Sequence, residues 1–238
     1  MIAAITGVGW VSPESMGSGR DHQVLQSEGG RLPHLTSRMV FGEVMPRFGR
    51  LDEYSKLGLA AIAFALRDAR QDKWPEKRPS GIIVSSTYGC LATDMAYYQG
   101  VIANGGNLAS PNLFACTLPN IFLGEAAIHF GLTGPGFAVN GAEPGGTESL
   151  SLALNGMFLD ENPVMIAGTC DPGCPPLFPY HVELTAGALF FVLEKYPMDG
   201  SLSYGALDMA SDGEVLFNGV EIHDLASLFQ GCLPQCVR

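Results

Sequence analysis

A chain of 238 residues has room for one sizeable core, and with 47% hydrophobic against 16% charged residues it is a folded protein, not a disordered one. A net charge of −11 argues against nucleic acid or an anionic membrane surface as the main partner. The 6 Cys residues do not make a disulfide scaffold and read as reduced thiols, no stretch approaches the ~20 apolar residues of a membrane span, and MIAAITGVGW lacks the basic region of a signal peptide, so a cytoplasmic location is expected.

Taken in chain order, Ile2 to Val8 reads as an apolar strand closed by Gly7 and Gly9. Residues 12–50 are irregular, with a short strand expected over Met39 to Val44. An amphipathic helix begins at Leu51, its Asp52 and Glu53 suited to the positive end of the helix dipole, and Trp74-Pro75 and Arg78-Pro79 end it. Gly81 to Thr87 is β-rich and uncharged and predicts a central strand. Helices are expected over Cys90 to Ala103 and over Pro119 to Phe130, the second stopped by Gly131, with a loop over Asn104 to Pro111 between them.

The stretch GPGFAVNGAEPGGTESLSLALNGMFLDENPVMIAG, residues 134–168, reads as strand, tight turn, helix, strand. Phe137 and Val139 suit a short buried strand. Leu150, Leu152, Leu154, Met157, Phe158 and Leu159 suit a helix with a wide buried face, and Val164 to Ala167 a second strand, giving a parallel pair joined by a helix. Glu143 falls near the N-cap, because Pro144 fits the first helical position. Free backbone N–H groups point out of such a turn, which makes it a natural place for chemistry. Thr169 to Pro179 reads as a long loop. Ala186 to Leu193 and Ser201 to Met209 read as the last two strands, a hairpin around Met198-Asp199-Gly200, and Gly219 to Gln230 as a closing helix. One domain over residues 1–238 is the simplest organisation, and alternating strands and helices call for an α/β layer structure.

Several pieces, in this order, resemble the β-ketoacyl synthases, the condensing enzymes of fatty-acid and polyketide assembly: ITGVGWVSP at 5–13, DEYSKLGLAAIAFALRDA at 52–69, LPNIFLGEAAIHFGLTGPG at 118–136, GPGFAVNGA at 134–142 and GALFFVLEK at 187–195. The resemblance covers roughly residues 1–210 and the family's N-terminal half. It implies half of a thiolase-like fold, a mixed sheet packed with helices, with one apolar sheet face left for another subunit to cover. In the family a Thr-Ala-Cys triplet ends the strand and supplies the acyl-accepting Cys. The matching triplet here is Gly141-Ala142-Glu143, so a carboxylate stands at the nucleophile position. The two catalytic His and the Gly-rich oxyanion loop of the family's second half have no identifiable counterpart.

The chemistry of the candidates stays open at this point. Glu143 is either a capping residue or a carboxylate that mimics a bound anion. Cys116, Cys170, Cys174, Cys232 and Cys236 are either ordinary thiols or, in their four-residue spacings, metal ligands; no metal or cofactor is expected. His22, His34, His129, His181 and His223 are scattered, and His129 at a helix end reads as structural. Met95, Tyr98, Phe114 and Phe122 are candidates to line an acyl tunnel or an interface, against a plain packing role. The family's strand before the nucleophile pairs with its copy in the other subunit, which implies that Phe137 to Gly141, with Phe137 and Val139, lies at such a contact.

What the resemblance implies best is a non-catalytic partner of a full-length β-ketoacyl synthase, like the short, Cys-less chain-length-factor subunits of aryl polyene pathways. Acyl carrier protein would be met through that partner, and the chain alone would form at most a homodimer. The alternatives are a malonyl-carrier decarboxylase and a stand-alone module that binds acyl chains or acyl carrier protein.

Overall fold

Short uncharged apolar runs supply the strands, and they join one mixed sheet. The computed structural model describes residues 2–20, 30–141, 145–159, 162–175, 186–197 and 203–233. Among these, β1 (Ala3–Val11), β2 (Met16–Ser18), β3 (Ser80–Ser86), β4 (Gly136–Asn140), β5 (Val164–Asp171), β6 (Gly187–Glu194), β7 (Gly205–Met209), β8 (Val215–Phe217) and β9 (Val220–Glu221) form the sheet. The strand order is β4-β3-β5-β6-β1-β7-β8-β9, with β2 paired to β1 off that path. The helices are α1 (Ser37–Phe41), α2 (Glu53–Asp68), α3 (Leu91–Ala103), α4 (Pro111–Ala115), α5 (Ile121–Phe130), α6 (Thr147–Phe158) and α7 (Leu225–Cys232).

Strand β1 sits deep in the sheet, antiparallel to β6 on one side and β7 on the other. Its two glycines do not end it. A Cβ on Gly9 would lie 2.1 Å from the Ala65 nitrogen and 2.4 Å from the Ala61 oxygen, and one on Gly7 2.3 Å from the Ala65 oxygen. They are the surface onto which α2 is pressed, with its own small residues facing them. A register shift between Ile5 and Gly7 explains the side-chain pattern. Ala3 and Ile5, then Val8 and Trp10, all join the same core, because the bulge restores their facing after one extra residue.

Two cores result, one on each side of the sheet. Ile82, Val84, Ile166, Phe190 and Val192 meet α2 and α5, while Ile83, Met165, Ala167, Phe191 and Leu193 meet α6 and α7. The expected bare sheet face is therefore absent among the described residues, because α6 and α7 cover it. Helix α2 owes its start to Asp52, whose Oδ1 accepts from the Ser55 amide at 3.0 Å.

Several sequence expectations are corrected. Met39 to Val44 is not a strand: Thr36 caps a short helix there and Gly42, in the left-handed region, ends it. Strands β4 and β5 are parallel but not neighbours, since β3 lies between them and pairs with both. Strand β4 is an exposed edge and not a buried strand. On α6 the buried face is Leu150, Ala153, Leu154 and Met157, whereas Leu152, Phe158 and Leu159 are exposed. The expected hairpin is not formed, because β1 separates β6 from β7; the turn 198–200 lies outside the described residues. Strand β5 runs to Asp171, into the expected loop, and β8 and β9 follow β7 before α7.

The contact between β1 and α2 generates a paired prediction. Gly9→Ala will destabilise the fold by about 2–3 kcal/mol through overpacking. Gly100→Ala, where an added Cβ meets nothing within 4 Å, will stabilise by about 0.5–1 kcal/mol through helix propensity. Urea titration followed by circular dichroism measures both.

Candidate functional site

The carboxyl ends of β3 and β5, the turn into α6 and the first turns of α7 enclose a cavity of about 430 Å³. Ligand sites in α/β sheets tend to form at such strand ends. Asp171, 6% exposed, lies in its wall. The Asp171 Oδ1 accepts from Ser86 Oγ at 2.9 Å and from the amides of Thr87, Tyr88 and Gly89 at 3.0, 2.7 and 3.2 Å. A buried carboxylate is tolerable only with such a set of donors. The turn held in this way leads straight into α3. Across the cavity, the Leu225 amide donates to the Gly145 oxygen at 3.0 Å, and Phe229 packs edge-on against Trp10 with ring centroids 5.0 Å apart. Gly146 is in the left-handed region, and a Cβ there would meet the Leu225 side chain at 3.0 Å. The turn and α7 are thus fitted to each other.

Glu143 lies outside the described residues, between Gly141 at the end of β4 and Gly145 in the cavity wall. Met95 and Tyr98 share a second hollow with Asp94, Tyr97 and Thr117, and Phe114 packs on Tyr97 at 5.4 Å between centroids. Tyr98 is 65% and Phe114 59% exposed. Phe122 is separate from this group. It is fully buried, its ring 5.2 Å from Tyr54 and 6.3 Å from Phe190, so in this chain it is core. Phe137, 38% exposed, and half-buried Val139 stand on the open edge strand β4.

Four of the described thiols, Cys90, Cys116, Cys170 and Cys232, are poor candidates for a displaced nucleophile. Burial, with Asp94 nearby, pushes the Cys90 thiol up to about 12, and burial with Asp68 nearby does the same for Cys232. Burial also raises Cys116 and, most strongly, Cys170, where Asp171 adds to the effect. A thiol held protonated is a poor nucleophile. No group of three or more His, Cys, Asp or Glu fit to hold a metal occurs among the described residues. His129 sits between Phe41 and Phe130, with ring centroids at 4.7 and 4.6 Å, and burial lowers its pKa below 6.5. His34 is exposed, and His223 lies 3.3 Å from Glu221 at the surface. His22 and His181 are outside the described residues.

Asp171, Trp10, Leu225 and Phe229 went unselected by sequence reasoning. The signal for Asp171 was there: it is the one charge in VMIAGTCD, at the strand end where such folds place functional groups.

Residues 28–178 match the N-terminal domain of the β-ketoacyl synthases. The chain belongs to this family. A relative, 3-oxoacyl-[acyl-carrier-protein] synthase 2 of Vibrio cholerae, is 26% identical over 129 residues, covering 54% of this chain and 31% of that protein. Among solved structures, the ishigamide ketosynthase/chain length factor has a TM-score of 0.65 at 18% identity, covering 86% of this chain and 65% of the other. A ketosynthase (ApeO) in complex with its chain length factor (ApeC) from Xenorhabdus doucetiae has a TM-score of 0.60 at 16% identity. That match covers 83% of this chain and 81% of a chain of the complex, so the two are close in length. At these identities the likeness is one of fold, the thiolase-like fold of the condensing enzymes. The chain spans about a third of the curated relative and just under two thirds of the ishigamide protein.

Two predictions follow from the titrating groups. Iodoacetamide at pH 8 will leave Cys90, Cys116, Cys170 and Cys232 unmodified in the native protein and label them in urea, as peptide mass spectrometry reads. His129 has a folded pKa below its unfolded value, so the unfolded state binds more protons near pH 6.5. Stability contributed by the neutral ring is full above that pH and is lost as pH falls toward the folded pKa. His129→Gln will flatten this part of a denaturation profile recorded from pH 7.5 to 5.

Proposed function

We propose that this chain is a non-catalytic, single-domain ketosynthase-like subunit that pairs with a full-length β-ketoacyl synthase. In the pair it sets product chain length in biosynthesis of the polyketide or fatty-acid type, aryl polyene assembly included. Glu143 at the nucleophile position cannot form a thioester, and the buried thiols of Cys90, Cys116, Cys170 and Cys232, held protonated, are poor substitutes.

The observation that carries the reading is an exposed surface without charge. From Leu91 to Gly124 the sequence holds a single charged residue, Asp94. Helix α3 has no buried residue, although it presents Tyr98 and Ile102. Phe114 and Leu118 continue the exposed apolar set on the α4 side. Asp94 itself turns inward: its Oδ1 is buried, and burial raises its pKa. Contiguous apolar surface of this kind marks an interaction site. Among the described residues β4 is an open edge of the sheet, where a second strand can pair. The complex of ketosynthase and chain length factor that shares this fold and includes a chain of similar length favours a ketosynthase as the occupant. Such a pair meets acyl carrier protein through the ketosynthase subunit, and the chain alone forms at most a homodimer.

The test is co-expression with a full-length ketosynthase. The isolated chain will give no condensation product from acyl and malonyl carrier proteins. Val139→Lys will prevent association, seen as a lower mass by light scattering. Tyr98→Ala and Tyr98→Trp, made in this chain only, will change product length in opposite senses by mass spectrometry. A complex that forms while product length stays fixed across these variants overturns the chain-length role, and turnover by the isolated chain overturns the non-catalytic one.

A further inference from the structure

The 430 Å³ cavity has an electrostatic character that the partner role does not use. Its described walls contain three carboxylates, on Glu14, Asp171 and Asp224, and no Lys, Arg or His. Part of its donor set is committed to the chain itself. Ser12 Oγ donates to the Ser15 oxygen, Ser85 Oγ to Glu148 and Ser86 Oγ to Asp171 and the Cys170 oxygen, while Trp10 Nε1 donates to Ser15 Oγ. The acceptors are not equally spent. Asp171 Oδ1 takes four donors, but Oδ2 takes only the shared Thr87 amide at 3.0 Å. This carboxylate is more than nine-tenths buried, so its spare lone pair can be met only from within the cavity wall or by a molecule in it.

The rest of the wall is apolar. Trp10 and Phe229 form one side, Leu225 and Leu189 extend it, and the volume lies within the range of small-molecule sites. Three carboxylates facing no cationic side chain of the described wall call for a ligand that donates and carries positive charge. Carboxylates without a cation repel an anion, more strongly where water is thinned out. An aromatic wall beside them adds attraction for a positive head group.

We propose that this cavity binds a small molecule with an N–H-rich cationic head, an amine or amidine, on an apolar body, and that it rejects carboxylates. The head donates to Asp171 Oδ2, and the body lies along Trp10 and Phe229. The site stands independently of any partner subunit.

Three near-isosteric probes separate the charge term from size and shape: benzamidine, benzamide and benzoate. Saturation-transfer NMR on the full chain will show benzamidine bound most tightly, benzamide next, and benzoate at least about tenfold weaker than benzamidine. Ala226 is exposed on the first turn of α7 and lines the cavity, so Ala226→Trp narrows it without disturbing the core or the net charge. Ala226→Trp will weaken benzamidine about tenfold or more while leaving the thermal midpoint unchanged. Benzoate binding as tightly as benzamidine, benzamidine binding that Ala226→Trp leaves intact, or no binding of any probe at millimolar concentration each overturns the proposal.

Discussion

The close approach of α2 to β1 is the constraint on which the other elements depend. Gly7 and Gly9 let the helix backbone descend to a distance that no Cβ would permit, and Ala61 and Ala65 complete the contact from the helix side. That position brings the C-terminal turn of α2 within reach of the start of the chain. There Asp68, 3% exposed, accepts from the Val8 amide at 2.8 Å, the Arg20 amide at 2.7 Å and the Tyr204 hydroxyl at 2.8 Å. Burial raises the Asp68 pKa, and those three donors act against it. One carboxylate therefore ties together β1, the segment after β2, α2 and the approach to β7. A longer helix-to-sheet distance would leave that carboxylate buried without its partners, a cost of several kcal/mol at least.

A second carboxylate performs a parallel task at the other end of the parallel strands. Asp171 ends β5 and holds the amides of residues 87–89, which end β3 and open into α3. Asp52 holds the same helix from below, its Oδ2 accepting from Thr93 Oγ1 at 2.5 Å while Oδ1 caps α2. Helix α3 buries none of its residues, so hydrophobic packing within the chain contributes little to its placement. Its direction is set at its root by polar bonds to two elements that are themselves packed in the core. An exposed apolar helix fixed in this way is pre-organised, and a partner that docks on it has less ordering entropy to overcome.

Much of this was legible in the sequence where one residue determines the local outcome. The acidic start of α2 at Asp52 and Glu53, the Gly131 that ends α5, and the uncharged run of β3 are local signals, and the structure has all three. The failures share a different cause. Gly7 and Gly9 read as punctuation because a strand glycine with a helix pressed on it looks like a loop glycine until the helix is in place. The expected hairpin assumed that strands close in sequence are neighbours, yet β1, from the start of the chain, occupies the gap. Phe122 looked like its neighbours on a helical repeat, and only the ring contacts with Tyr54 and Phe190 separate core from surface. The family itself was legible because its motifs lie in sequence order, which does not require knowing how they pack.

Charge is distributed in a way that gives the two hollows different chemistry. With 24 acidic and 13 basic residues, the chain has carboxylates to spare, yet from Leu91 to Gly124 it places only Asp94, turned inward. The hollow on α3 is consequently apolar and open, suited to exclude water against another protein surface. The cavity between β3, β5 and α7 concentrates carboxylates whose partners are mostly amides and hydroxyls of the same chain. An acyl thioester with a terminal carboxylate would enter such a space against the field. In a condensing enzyme that field would oppose binding of the extender. The proposed non-catalytic role and the acidic character of this space are mutually consistent, because a subunit that binds no extender has no need of a space that admits one.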